Sequence, residues 1–298
     1  MWIRRRKEAF IMTTRRDFLR LAAMAGCVIR FPGDAFAAGG LGQMIYGVQL
    51  YMVRRQAVKD LAGILKAIRE VGYTQIELYP IAYDHPPAEL KQMVADSGLG
   101  AVSGHFDYVG FEQKIAYGRD LGLKYMVCPM LPDSQKDSAA AFRQGASDFN
   151  RWGAAVRDAG MEFVFHNHCY EFKPQAGGVT GWETLMQNTD PKLVKLEFDL
   201  YWLTQAGQDP AAMLTKYADR ARLIHLKDRT AGAPIGYVLG PSAEHFTELG
   251  KGTIDWPGLI AQAKRQGIRY AYLDQDETAG PVLDSLRESF AYLKTLHA

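Results

Sequence analysis

Five times this chain leaves an amphipathic stretch through a single glycine and runs directly into a short apolar segment. The stretches are EVGYTQI, DSGLGAV, DLGLKYM, DAGMEFV and RQGIRYA, with the glycines at Gly72, Gly98, Gly122, Gly160 and Gly267. Glycine after a helix takes the left-handed conformation that closes the last carbonyls, so each recurrence predicts a helix end feeding a strand. Eight runs rich in Val, Ile, Tyr and Phe are spread along the chain: IYGVQLY, TQIELYP, GAVSGHF, KYMVCPM, EFVFHNH, VKLEFDL, RLIHLKD and YAYLDQD. Between them lie stretches apolar at three- and four-residue spacing, such as VKDLAGILKAIREVG and DWPGLIAQAKRQG. Strands that alternate with helices are parallel strands joined by crossovers.

Eight such units over residues 38–298 match the size of an α/β protein of the (β/α)8 TIM barrel type, about 250 residues in a single domain. No Pro/Ser/Gly-rich linker divides them. The competing doubly wound sheet carries a glycine-rich phosphate turn after its first strand, and GVQLYMVRR has neither GxGxxG nor a P-loop. At 48% hydrophobic residues the chain has material for one large core, which excludes general disorder.

Residues 1–37 read differently. TTRRDFLRLAAMAGCVIRFPGDAFAA has a twin arginine (Arg15, Arg16), Phe18 and Leu19 just after it, a weakly apolar stretch, and small residues ending at Ala37. This is similar to a twin-arginine export signal cleaved after Ala37, which predicts the export machinery as a partner and a periplasmic location. Met24-Ala25-Gly26-Cys27 weakly resembles a lipoprotein processing site, an alternative that would anchor the chain at Cys27. No stretch reaches the roughly 18 to 20 apolar residues of a membrane span. Residues 1–37 hold eight of the 35 basic and three of the 33 acidic residues, so residues 38–298 carry a formal charge of −3 rather than the +2 of the whole chain. The basicity belongs to the signal, and nothing in the charge argues for nucleic acid. Two cysteines follow the signal, Cys128 and Cys169; an oxidising compartment would allow them to pair, but two cysteines are no disulfide framework.

In a barrel of this kind the active site forms at the C-terminal strand ends. There the second half of the chain repeatedly places ionisable residues two apart: His166 and His168, Glu197 and Asp199, His225 and Lys227, Asp274 and Asp276. Residues two apart share a strand face. The intervening Leu196, Phe198, Ile224 and Leu226 are apolar, so the charged set is expected to face the barrel axis. Inward charges are costly unless paired or bound to a cation. Two imidazoles and two carboxylates suit a first-row divalent ion such as Mn, Fe, Co or Zn better than Ca or Mg.

IELY at 76–79, SGHF at 103–106, FHNHCYEF, LEFDLYW followed by AGQDP, IHLKD, ELGKGTIDW and LDQDE resemble, in order, the xylose isomerase-like TIM barrels, the superfamily of sugar phosphate isomerases and epimerases. The HNH form suggests a branch of it. The resemblance implies metal ligands at the ends of strands five to eight, carried over as His166, Asp199, His225 and Asp274. His166 stands where the family has glutamate, which leaves His168 as the competing ligand, and Asp274 is a shorter carboxylate than the family's last one.

An ion there would chelate adjacent sugar oxygens and stabilise an enediolate. Reprotonation gives isomerisation or epimerisation of a sugar or keto-sugar, the leading expectation. Loss of a β-substituent gives a lyase or hydratase acting on keto-sugars or keto-glycosides, the first alternative, and a non-catalytic sugar-binding barrel is the second. Abasic-site DNA repair uses a related barrel, but the export signal and the acidic charge argue against it. For acid, base or substrate contact the expected residues are Glu171, Lys227, His168, His105 and Glu77. Glu77 is alternatively a support for His105, and Lys227 a counter-charge to Asp228 or Asp276. Tyr51, Tyr79, Phe106 and Trp202 are expected as apolar walls. The long loop Arg229–Gly252 is expected to hang over the site with Glu248 and Lys251, unless it is a helix lead-in capped by Asp255.

Overall fold

The computed structural model describes residues 44–240 and 245–296; the export-signal reading of residues 1–37 lies outside them. Eight parallel strands close a barrel: β1 Ile45–Gln49, β2 Gln75–Leu78, β3 Gly100–His105, β4 Tyr125–Cys128, β5 Glu162–His166, β6 Val194–Asp199, β7 Ala221–Leu226 and β10 Tyr270–Leu273. β1 pairs with both β2 and β10, which closes the ring. Each strand coincides with one of the eight apolar runs. Between β7 and β10 a short antiparallel ribbon forms from β8 Asp228–Arg229 and β9 Phe246–Thr247.

The helices end where the sequence says they must. Gly72, Gly98, Gly122, Gly160 and Gly267 all have positive φ. The helix Leu61–Val71 starts at Asp60, whose side chain accepts from Gly63 N, and buries Leu61, Ile64, Leu65 and Ile68 on one face. Thr180 and Glu183 form a reciprocal capping box on Gly181–Asn188, and Asp255 caps Trp256–Arg265. Among the described residues no helix is long and apolar enough to cross a membrane.

The barrel interior is filled in layers. Tyr125, Val127, Val164, Leu223 and Tyr272 form the lower one, distinct from the main core between the barrel and its helices. Tyr272 fits because its register partner on β1 is Gly47, where a Cβ would lie 2.6 Å from the ring. Above that layer the inward positions turn polar. Register shifts occur at Ile76/Glu77 and Leu196/Glu197, so both strand irregularities fall where a carboxylate enters the barrel. Such irregularities re-aim side chains.

Candidate metal centre

The four residues expected as ligands all lie at the C-terminal end of the barrel, each delivered by its own strand. His166 ends β5, Asp199 ends β6, His225 lies inward near the end of β7, and Asp274 directly follows β10. Asp199 and His225 are register partners, as are His166 and Glu197. Buried glutamates orient the two imidazoles. His166 Nδ1 lies 3.1 Å from Glu197 Oε2, leaving Nε2 on the side of Asp199 Oδ2 at 3.8 Å. His225 Nε2 lies 2.6 Å from Glu77 Oε2, leaving Nδ1 at 3.2 Å from Asp274 Oδ2 and 3.9 Å from Asp199 Oδ2. Each ring is thus held at one nitrogen and presents the other toward Asp199, the way outer carboxylates orient metal-ligating histidines.

The donor chemistry fits a first-row divalent ion. Asp199, His225 and Asp274 form one group of convergent donors, and His105, His166, Glu197 and His225 a second that shares His225. In the second group one oxygen carries all the contacts: Glu197 Oε2 is 2.9 Å from His105 Nε2, 3.1 Å from His166 Nδ1 and 3.3 Å from His225 Nε2, while Oε1 has no hydrogen-bond partner. The first group has two such oxygens: Asp274 Oδ1 has no hydrogen-bond partner, and Asp199 Oδ2 makes no hydrogen bond either, its nearest charged neighbour being Lys227 Nζ at 2.9 Å. Buried carboxylate oxygens of this kind require a cation.

Lys227 supplies part of that charge. Its ammonium, 1% exposed, lies 2.9 Å from Asp199, 2.8 Å from Asp274 and 2.7 Å from Asp276. The expected pairing with Asp276 is present; the one with Asp228 is not. Asp228 instead accepts from the backbone N–H groups of Arg229, Gly250, Gly252 and Ile254, tying down the return of the long loop.

Protonation divides the site. Burial opposes charge on Glu77, but His105 and His225 outweigh it and hold the carboxyl below its usual range. Burial also lowers His105, yet Glu77 and Glu197 raise it to about 9. His166 and His168 go the other way. Burial, then the imidazoles around His166 and the Lys227 ammonium near His168, hold both well below an ordinary histidine. Burial, incompletely offset by Lys227, and the Asp274 charge push Asp276 up to about 7.

A cavity of about 460 Å³, within the usual range of small-molecule sites, opens onto the centre through His166 and Asp274, whereas Asp199 and His225 lie behind its lining. His105, His166, His168, Asp274 and Asp276 line it, with Tyr51, Tyr79 and Trp202 as apolar walls as expected. The structure corrects other placements. Phe106 is fully buried and stacks on Tyr83 at 4.6 Å between ring centroids, because the residue after His105 points out of the barrel. Glu171 does not line the cavity; both its oxygens accept from His168 N, at 3.1 and 3.0 Å. Glu77 also lies beneath the floor, bonded to Gln49, Ser103 and His225 and 3.2 Å from His105. Its reading as a support is the one its contacts match. Glu248 bonds Ser285, and Lys251 reaches Glu288, so both face away from the cavity and the lead-in capped by Asp255 is what forms there. The loop does reach the site, through Leu239 and Gly240. Cys128 and Cys169 are free and buried, each near a backbone carbonyl, of Met130 and Val238. Glu197, Gln49, Asp107 and Glu277 received no role from the sequence; only Glu197 left a signal there, its two-residue spacing from Asp199.

Fold and site together define a parallel eight-stranded barrel enzyme scaffold with a buried His/carboxylate centre suited to a divalent metal. The chain belongs to the xylose isomerase-like TIM barrel family, whose pattern matches residues 65–296. It is 33% identical over 122 residues to an inosose dehydratase of Clostridium beijerinckii, covering 39% of this chain and 40% of that protein. A second inosose dehydratase, of Mesomycoplasma hyopneumoniae, is 26% identical over 273 residues, covering 81% and 88%. The chain therefore spans less than half the length of the first of these relatives. A solved sugar phosphate isomerase/epimerase of Parabacteroides distasonis superimposes with a TM-score of 0.69 at 25% identity, over 87% of this chain and 95% of that one.

Proposed function

We propose that the protein is a divalent-metal-dependent enzyme that removes the proton beside the carbonyl of a sugar or keto-sugar and returns it, as an isomerase or epimerase. The observation that carries this is the convergence of His225 Nδ1, Asp199 and Asp274, with His166 Nε2 at 3.8 Å from Asp199 as the neighbouring donor and Glu197 and Glu77 holding the imidazoles from behind. A bound ion would hold adjacent substrate oxygens there and stabilise the negative charge that develops on them. His168 is the base in this reading: it lines the cavity, is neutral, and its Nδ1 has no partner. Glu171 is a positioning residue that fixes the His168 backbone. Asp276, whose carboxyl burial pushes up to about 7, is placed to return a proton. Lys227 holds Asp276, Asp274 and Asp199 in position, and Trp202, whose Nε1 lacks a partner, offers a donor to a sugar hydroxyl.

β-Elimination is the second reading. It is favoured by the two inosose dehydratases and by Asp276, an acid placed to protonate a departing oxygen. Incubation of metal-loaded protein with a keto-sugar panel in D2O, followed by NMR, separates the two. Deuterium entering the α-carbon of intact sugar supports the first, loss of water or of an aglycone the second, and neither with any sugar contradicts both. We also propose periplasmic export, supported by the twin arginine; Arg15→Lys with Arg16→Lys should retain the protein in the cytoplasm.

A further inference from the structure

Between the two histidines of the HNH stretch stands Asn167, as buried as His166 at 1% exposure. His166 and His168 both line the cavity, with ring centroids 4.9 Å apart. Asn167 turns instead to the end of β6 and holds one residue there at two points. Its Oδ1 accepts from Asp199 N at 3.1 Å, and its Nδ2 donates to Asp199 O at 3.3 Å. A longer contact of 3.5 Å runs from Nδ2 to His168 O. Asp199 N only donates and Asp199 O only accepts, so the orientation of the amide is fixed by its partners. The regular pairing of β5 with β6 stops at His166 and Glu197, and the Asn167 side chain supplies the next rung of that ladder in place of a peptide group. No other hydrogen bond among the described residues joins the turn after β5 to Asp199. The Asp199 carboxylate is fixed as well. Its Oδ1 accepts from Trp202 N as the cap of the helix Leu200–Gln205, which leaves Oδ2 as the oxygen for an ion.

We propose that Asn167 is a positioning residue of the metal centre: it clamps the Asp199 backbone from the turn that carries both histidines, and so sets the spacing of His166 Nε2 and Asp199 Oδ2 and with it the affinity and geometry of the bound ion. The inference rests on the reading of these strand ends as a divalent-metal centre. Glu77 and Glu197 orient imidazole rings, whereas Asn167 acts on the main chain of a carboxylate ligand and couples it to the neighbouring strand. Alanine there leaves a buried N–H and a buried C=O of Asp199 unpaired and lets the ligand drift from the histidines. Asn167→Asp keeps the size and the acceptor for Asp199 N but sets an oxygen against Asp199 O, so it breaks the donor half of the clamp alone.

Titration of the metal-free full chain with cobalt(II), read as affinity and as the visible absorption of the bound ion, tests this. Asn167→Ala and Asn167→Asp should each bind cobalt about 10- to 100-fold more weakly than wild type, and the visible band of the loaded variants should change in position or intensity. Asn150→Ala is the control for a merely structural role. Asn150 makes a similar two-point bond between the outer helices Ala139–Asp158 and Gly181–Asn188, accepting from Asp190 N at 2.7 Å and donating to Asn188 O at 2.9 Å. Its loss should lower the melting temperature and leave cobalt affinity and spectrum as in wild type. Asn167→Asp, unchanged in size, carries the test if the alanine variant does not fold. Asn167 variants with the cobalt affinity and spectrum of wild type overturn the clamp, whatever their melting temperature. Wild type that takes up no cobalt overturns the metal centre itself, and the clamp with it.

Discussion

Each ionisable residue of the site is set by its neighbours rather than by its type. His166 and His168 are two residues apart and both held well below an ordinary histidine, whereas buried glutamates raise His105 and His225; an ion on His225 Nδ1 would take the place of its second proton. Glu171 gives the clearest case. Burial raises its carboxyl from 4.5 to about 8, against the pull of the His168 N–H. Between those values the folded chain keeps a proton that the unfolded chain has released, so stability falls as pH rises through the window and levels off above it. Glu171→Gln removes this dependence. Its melting temperature relative to wild type should therefore rise from pH 5 to pH 8, measured by circular dichroism, and an offset equal at both pH values would refute the assignment. These couplings were hidden in the sequence: the spacing of FHNHCYEF brings Glu171 near His168, but nothing in it shows that the carboxyl faces a backbone N–H instead of the cavity.

At the scale of elements the strand ends deliver the donors and one carboxylate holds the covering loop. Asp228 gathers four backbone N–H groups, and a Cβ on Gly252 would sit 2.1 Å from its oxygen, so the cradle closes only around glycine. Asp228→Ala leaves those donors unpaired and should cost roughly 2 to 4 kcal/mol in urea unfolding. Amide exchange in residues 229–254 should quicken more than in the barrel strands; uniform quickening would show that the loop has no separate dependence on Asp228. Elements of this kind were legible because period and punctuation decide them: the eight strands, the glycine-ended helices and the Asp255 cap all follow from the chain. Inward-facing charge pairs were legible too, from period two. The register shifts at Glu77 and Glu197 were not, since a bulge depends on what the neighbouring strand presents. Nor was Phe106 separable from the true walls, because a wall and a core aromatic have the same sequence signature.

For the molecule as a whole, the closed barrel carries an apolar interior layer, a base of glutamates and histidines, and a convergent donor set opening into an aromatic and acidic cavity. The donor set is the claim on which the proposed reaction depends. Elemental analysis of the purified full chain, dialysed against metal-free buffer, tests it most directly. Wild type should retain about one equivalent of a first-row divalent ion, Asp199→Ala should lose it, and Glu197→Gln should bind it about 10- to 100-fold more weakly while keeping the fold. Wild-type protein that takes up no ion, or an Asp199→Ala variant that keeps its full complement, would contradict the account.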